Sequence, residues 1–304
     1  MTMTRLLSIA AALAFTACAN PGSAQAPVAP VPKRAPDVVF VPTPYKVVDA
    51  MLAVARVGPG DILYDLGSGD GRIVIAAARR FGIRATGIDI DPRRITESRF
   101  NADSAQVTHL AEFTNADLFE TDLSKASVVT LYLLPELNVR LRPKLFAELR
   151  PGSRVVSHSF GMGDWKADST LMVDTRMVYH WVIPGDIAGD WSFSIGDAPG
   201  GLALETTFEQ QYQHVTRSEV RGTGPLRVEN ATVRGDSVRF LLRRSDNAAA
   251  TFDLTGKIEG DSMTGAYTTD RGVKGVWKAS RLRRAGLVNT LPVPGERRIS
   301  GDSR

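Results

Sequence analysis

The apolar positions of this chain run first at helical spacing, then in short blocks, then in strict alternation. Val47, Val48, Met51 and Ala55 recur at helical spacing behind Thr43 and Pro44, which suit an N-cap and a first helical position. A strand follows at 61–66 and an Ala-rich helix at about 73–80. Residues 84–90 (RATGIDI) read as a second strand. Asp91 caps the next helix and Pro92 begins it, with Ile95, Arg99 and Ala102 on its inner face. Residues 107–114 predict a weak third strand. The run at 127–134 is apolar and bounded by polar residues, the pattern of a parallel strand buried on both faces. Pro143 opens a helix that stops at Arg150-Pro151-Gly152, and strands at 154–160 and 177–183 complete the series. Strands alternating with helices predict an α/β domain over 40–184. Its form is a Rossmann-like, doubly wound, mainly parallel sheet.

The period changes after Pro184. Leu202, Leu204, Thr206, Phe208, Gln210 and Tyr212 alternate with other residues, as do Val238, Phe240 and Leu242, then Phe252, Leu254, Gly256 and Ile258. Turn residues recur at Gly235-Asp236, Glu259-Gly260-Asp261 and Asp270-Arg271-Gly272. This predicts a small antiparallel β domain over 185–284, barrel- or sandwich-like, of six to eight strands by hairpin count, closing near Trp277.

Between the first strand and its helix lies Asp65-Leu66-Gly67-Ser68-Gly69-Asp70-Gly71-Arg72. Glycines at alternate positions strip the bend of side chains, so a ligand can lie on its backbone. A dinucleotide loop would place its last glycine where Arg72 stands. The D-x-G-x-G-x-G pattern instead resembles the first motif of class I methyltransferases using S-adenosyl-L-methionine (AdoMet). The amino-acid end of that ligand needs backbone N–H groups for its carboxylate and an acid near its ammonium, and Asp65 sits where that ammonium would fall. Asp89 closes the second strand about twenty residues on, where a carboxylate can accept both ribose hydroxyls. Asp117, after the third strand, is placed to read the adenine amino group, or is a plain loop acid. The cofactor-binding candidates are therefore Asp65, Gly67, Gly69, Gly71, Asp89 and Asp117. The four histidines (109, 158, 180, 214) show no metal-ligand spacing, and each defaults to a core or surface role. No metal is expected.

Composition narrows the class. At 43% hydrophobic and 23% charged residues, the 304-residue chain is globular rather than disordered. Its net charge of +4 matches the six arginines against Glu296 and Asp302 found from 281 onward, read as a solvated basic tail (285–304 disordered). No basic face for nucleic acid is evident. At the N-terminus, Arg5 and an apolar run from 6 to 17 form a targeting signal within 1–26, too short for a membrane span. Ala24-Gln25-Ala26 is an A-x-A cleavage site. Phe15-Thr16-Ala17-Cys18 resembles a bacterial lipoprotein signal, with the sole cysteine at the lipid position. Both readings stay open, and both predict export to the periplasm or cell envelope. A tether with the domain facing the cytoplasm is the alternative. Residues 27–39 read as a Pro/Ala-rich linker.

Phe40-Val41-Pro42-Thr43-Pro44, the helix after it, Asp65 to Arg72, Ile73-Val74-Ile75-Ala76-Ala77-Ala78, Ser98-Arg99, Asp117-Leu118, the loop at Pro135, Lys144-Leu145, Glu148-Leu149 and Arg154-Val155 occur together in order. Over about 40–182 this resembles the mitochondrial-type protein-lysine methyltransferases of the adenine nucleotide translocator and the ATP synthase c subunit, with their prokaryotic relatives. The resemblance implies AdoMet-dependent N-methylation of a protein lysine, or of a small-molecule acceptor. It also implies that the Pro-Thr-Pro segment lies near the cofactor, with Thr43, Tyr132, Pro135 and Glu136 as acceptor-side candidates. Against this stands a non-catalytic envelope binding protein, with the methyltransferase fold as scaffold and the β domain holding a lipid or protein partner.

Overall fold

The computed structural model describes residues 35–196, 201–222, 226–244 and 251–285. The targeting signal, Cys18 and the tail beyond 285 lie outside the described residues. Helix α1 (Tyr45–Val54) precedes β1 (Ile62–Leu66), α2 (Arg72–Phe81), β2 (Arg84–Asp89), α3 (Pro92–Ser104) and β3 (Ala111–Asn115). Then come β4 (Val128–Leu131), α4 (Pro135–Glu148), β5 (Arg154–His158), β6 (Ser169–Val173) and β7 (Arg176–Val182). These strands form one sheet in the order β3-β2-β1-β4-β5-β7-β6, with β6 and β7 antiparallel and the rest parallel. The chain winds outward from β1 to β3 and returns to β4 on the other side of β1. Crevices for ligands open at such a switch point, at the carboxyl ends of the strands.

Three local expectations change. Thr43 does not cap α1. Pro44 holds the N-cap position, and its carbonyl accepts from Val47 N and Val48 N. The fourth helix begins at Pro135, not Pro143, and Pro143 lies inside it. An interior proline costs about 3 kcal/mol. Here that cost is offset by packing on both sides of the proline, where Leu141 and Leu145 are fully buried. Third, β6 went unpredicted because its five residues are exposed or half-buried and carry no clean alternation.

Strands β8 (Gly189–Ile195), β9 (Leu202–Gln211), β10 (His214–Gly222), β11 (Leu226–Arg234), β12 (Ser237–Arg244), β13 (Thr251–Glu259), β14 (Ser262–Thr269) and β15 (Lys274–Arg284) close into an antiparallel barrel. The seam is β15 with β8, where Trp277 pairs with Ile195. Alternate side chains point inward, and Trp191, Phe193, Phe208, Phe240, Leu254, Met263 and Trp277 fill the interior. Gly265 pairs with both Gly256 and Trp277. A side chain at Gly256 would strike the Trp277 ring at 2.5 Å, so this glycine makes room for the indole. An eight-stranded barrel is just wide enough for side chains to fill, and this one is packed rather than hollow. A lipid held inside it, as the binding-protein reading would have it, finds no support here.

Arg281, Arg283 and Arg284, read from sequence as part of a solvated tail, belong to β15. They pair with Asp186, Asp190 and Asp261. The barrel meets the sheet domain through the β9–β10 turn. Tyr212 donates to Asp164 at 2.9 Å, and Trp165 donates through Nε1 to Gln213 at 2.9 Å. The Trp165 ring stacks on that of Tyr212 and packs at a tilt against those of Phe146 and Trp181.

Candidate active site

At the carboxyl ends of β1, β2 and β4 a cavity of about 600 Å³ opens, within the roughly 300–1,000 Å³ usual for small-molecule sites. Its lining comes from residues 36–43, the glycine loop, the end of β2, residues 116–118 and the segment after β4. The barrel contributes none of it. Asp65, Gly67, Asp89 and Asp117 all reach this cavity, as do Thr43 and Tyr132. Pro135 and Glu136 are exposed at the start of α4, outside the lining.

Asp65 is buried at the end of β1, and Thr130 donates to its Oδ1 at 2.7 Å. No cation pairs with it among the described residues. Burial pushes its carboxyl up to about 7, against the Thr130 hydrogen bond, and the nearby Asp89 and Asp70 add to the rise. A buried acid facing a cavity without a counter-ion suits a cationic ligand group. Asp89 is half-buried. Its Oδ2 accepts from Gly69 N at 2.8 Å and its Oδ1 from Asp91 N at 2.9 Å. Burial raises its pKa, while those two hydrogen bonds oppose the rise. Asn115 holds the strand end by donating to the carbonyls of Asp89 and Ile90. Asp117 lines the cavity and also accepts from Phe119 N through Oδ1.

The glycine loop departs from its expected role in one respect. Its N–H groups are spent within the protein: Gly67 and Ser68 on the Ile88 carbonyl, Gly69 on Asp89, Gly71 on the Ser68 carbonyl. They do not form a waiting carboxylate receptor. Nor do the glycines act alike. At Gly67 an added Cβ would meet Leu133 at 2.9 Å, and both border the cavity. At Gly69 it would meet the Phe40 ring at 2.2 Å, so an aromatic side chain lies on the bend. At Gly71 (φ +81°) it would meet Phe113 and Ser98, which makes this glycine a helix–sheet packing position. Neither Gly69 nor Gly71 belongs to the lining.

Sequence reasoning also missed two parts of the site. Residues 36–39, read as linker, form a wall of the cavity. This strap is anchored at Thr43, whose carbonyl accepts from Arg72 Nη1 at 2.8 Å. The Phe40 ring carries the Arg94 guanidinium 4.7 Å from its centroid. His158 is the second: it is fully buried at the end of β5, and its Nδ1 is 3.1 Å from the Thr43 hydroxyl.

These residues fit AdoMet. An unpaired buried acid stands on β1 for the ammonium, a carboxylate closes β2 for the ribose, and a side-chain-free position at Gly67 borders the space between. Among the described residues no His/Cys/Asp/Glu cluster suited to a metal occurs, and no helix is long and apolar enough to cross a membrane.

A family model described as the ANTKMT methyltransferase domain matches residues 65–169, ending before the barrel begins. A protein-lysine N-methyltransferase of Saccharolobus islandicus is 45% identical over 148 residues, which are 48% of this chain and 92% of that protein. The mouse lysine N-methyltransferase of the ATP synthase c subunit is 37% identical over 142 residues, 46% of this chain; the match spans only 57% of the mouse protein. An RNA methyltransferase from Salinibacter ruber, crystallised with S-adenosyl-L-homocysteine, is 56% identical over 48% of this chain and 96% of its own, with a TM-score of 0.48. The chain therefore belongs to the ANTKMT-type family of AdoMet-dependent methyltransferases.

Proposed function

We propose that this protein N-methylates a lysine side chain of another protein in the cell envelope. The observation that carries the choice of acceptor is the charge of the cavity wall. Six aspartates line it (Asp37, Asp65, Asp70, Asp89, Asp91, Asp117) against three arginines (Arg72, Arg93, Arg94). All three arginines are already paired, Arg72 with Asp70, Arg93 with Asp91 and Arg94 with Glu97. Such a wall attracts an ammonium and repels a phosphate backbone. The identity to enzymes named for lysine methylation points the same way. Val39, Val41, Tyr45 and Leu134 are exposed on and beside the strap and the segment after β4, and they offer an apolar footing for a protein.

Bound AdoMet supplies an activated methyl group on a sulfonium. The chain's share is to hold that ligand, align an amine with it and keep water away. A lysine must also shed a proton first, and a partly apolar channel favours the neutral amine.

Incubation of the protein with methyl-labelled AdoMet and an envelope extract should label a protein band. Prior acetylation of the extract's lysines should abolish the label, and ribonuclease should not. Label that survives lysine blocking and disappears with ribonuclease would overturn the choice of acceptor. Export is supported by Arg5 and the apolar run at 6–17; Cys18, as a lipid attachment point, would hold the protein at the membrane. Alkaline phosphatase fused after residue 40 should be active in intact cells. An inactive but stable fusion would place the domain in the cytoplasm instead.

A further inference from the structure

The sheet order separates the cavity into two sides. Asp89 and Asp117 lie at β2 and just past β3, on one side of β1. Across β1, at the ends of β4 and β5, stand Tyr132 and His158, with Thr43 of the strap against them. Thr43 and Tyr132 line the cavity; His158 lies behind both. The His158 ring sits 3.9 Å from the Tyr132 ring, centroid to centroid, tilted by 35°, and Phe160 lies on Tyr132 at 6.2 Å. Thr43 and His158 are 115 residues apart in sequence.

Packing alone does not account for this histidine. Its Nε2 is buried with no hydrogen-bond partner among the described residues. An apolar ring would fill the same space without burying an unpaired polar atom, which carries a free-energy cost. The polar function that the position does use is the bond from Nδ1 to the Thr43 hydroxyl.

We propose that His158 is a positioning residue for the methyl acceptor: it fixes the Thr43 hydroxyl and the Tyr132 ring as the wall that receives the acceptor amine. This rests on the reading of the cavity as a lysine-methylating site. Either tautomer of the neutral ring serves. With hydrogen on Nε2, the ring accepts the Thr43 hydroxyl proton; with hydrogen on Nδ1, it donates to Oγ1. In both cases Oγ1 keeps a lone pair for one N–H of an amine, which leaves the nitrogen lone pair free to face the methyl group.

The competing role, a general base that takes the amine's proton through Thr43, is decided by magnitude. Burial, with Arg176 adding to it, lowers the His158 pKa to about 4. A lysine ammonium titrates near 10.4, so the imidazole is weaker as a base by about six powers of ten. It stays neutral and orients; it does not carry the proton.

The test uses n-butylamine as a stand-in for the lysine side chain. It is titrated into the protein saturated with S-adenosyl-L-homocysteine and followed through the Thr43 and Tyr132 amide resonances. Methyl transfer to the protein acceptor and calorimetric AdoMet binding are measured alongside. His158→Phe keeps the stack on Tyr132 and removes the hydrogen bond. It should weaken the butylamine response at least fivefold and lower kcat ten- to a hundredfold, with the AdoMet Kd within twofold. His158→Gln, which can still bond Thr43, should recover most of both. Thr43→Val should match His158→Phe, and the double variant should be no worse than either alone. Should His158→Phe fail to fold, Thr43→Val and His158→Gln carry the same comparison. The proposal falls if butylamine leaves Thr43 and Tyr132 of the parent unperturbed, if His158→Phe binds it as the parent does, or if the two losses multiply. The lysine reading fails separately, if the parent binds AdoMet but labels no lysine.

Discussion

Asp89→Ala should weaken AdoMet binding by about two to four powers of ten. A carboxylate that accepts two ribose hydroxyls makes two hydrogen bonds to a charged group, each worth about 1.5–3 kcal/mol. Their loss amounts to about 3–6 kcal/mol, or roughly a hundredfold to ten-thousandfold in Kd. The substitution has a second effect, because Asp89 also accepts from Gly69 N and Asp91 N and so shapes the bend itself. Asp89→Asn keeps the volume and one acceptor oxygen, but it loses the charge and sets an N–H donor against one of those two backbone N–H groups. With each charge-assisted hydrogen bond to the ribose weakened by about 1–1.5 kcal/mol, binding should fall about thirty- to a hundredfold. Calorimetry on both variants, with melting temperature as the folding control, checks the ordering. An Asp89→Ala protein that keeps its fold and binds AdoMet within threefold of the parent would remove Asp89 from the ribose site.

What could be read from sequence was what local chemistry constrains. A strand, a bend without side chains and an amphipathic helix sit within some twenty residues. Their acids at strand ends, Asp65 and Asp89, came out on one cavity together with Gly67 and Asp117. The barrel was visible as a change of period, although the Trp191, Phe193, Ile195 alternation of β8 was in the sequence and went unread. The rest depended on distant partners. Nothing near Thr43 distinguishes a helix cap from a ligand of a histidine more than a hundred residues away. Nothing near His158 marks it as other than a core residue, since its surroundings come from β4 and the strap. Residues 36–39 have the composition of a linker, and only their position over the cavity makes them a wall. The glycine spacing was legible, but not the division of labour within it, because that depends on Leu133, Phe40 and Phe113 arriving from three other segments. Pro143 shows the limit of punctuation rules: buried leucines on either side carried the helix through it.

AdoMet binding should show an acidic limb set by Asp65. With its carboxyl at about 7 in the ligand-free protein, the group is roughly nine-tenths protonated at pH 6 and nine-tenths ionised at pH 8. A ligand ammonium is matched by the ionised form. Kd should therefore rise about tenfold per pH unit below about 7 and be flat just above it. Above about pH 8 the amine of a ligand α-amino group begins to lose its own proton, so affinity should decline again and the profile should be a bell. Asp65→Asn should bind weakly at every pH and lose the acidic limb. The same shift has the opposite sign for stability. The folded-state pKa lies above the unfolded 3.8, so the folded protein holds the proton more tightly. Asp65 thus lowers the stability of the ligand-free protein as pH rises from about 4 to about 7, and its effect is constant beyond. Asp65→Asn should accordingly melt higher than the parent at pH 8 and level with it near pH 4. A variant that is more stable yet unable to bind is the signature of an acid kept against folding for the sake of a cation. A parent Kd that stays flat from pH 5.5 to 8 would show that Asp65 does not meet one.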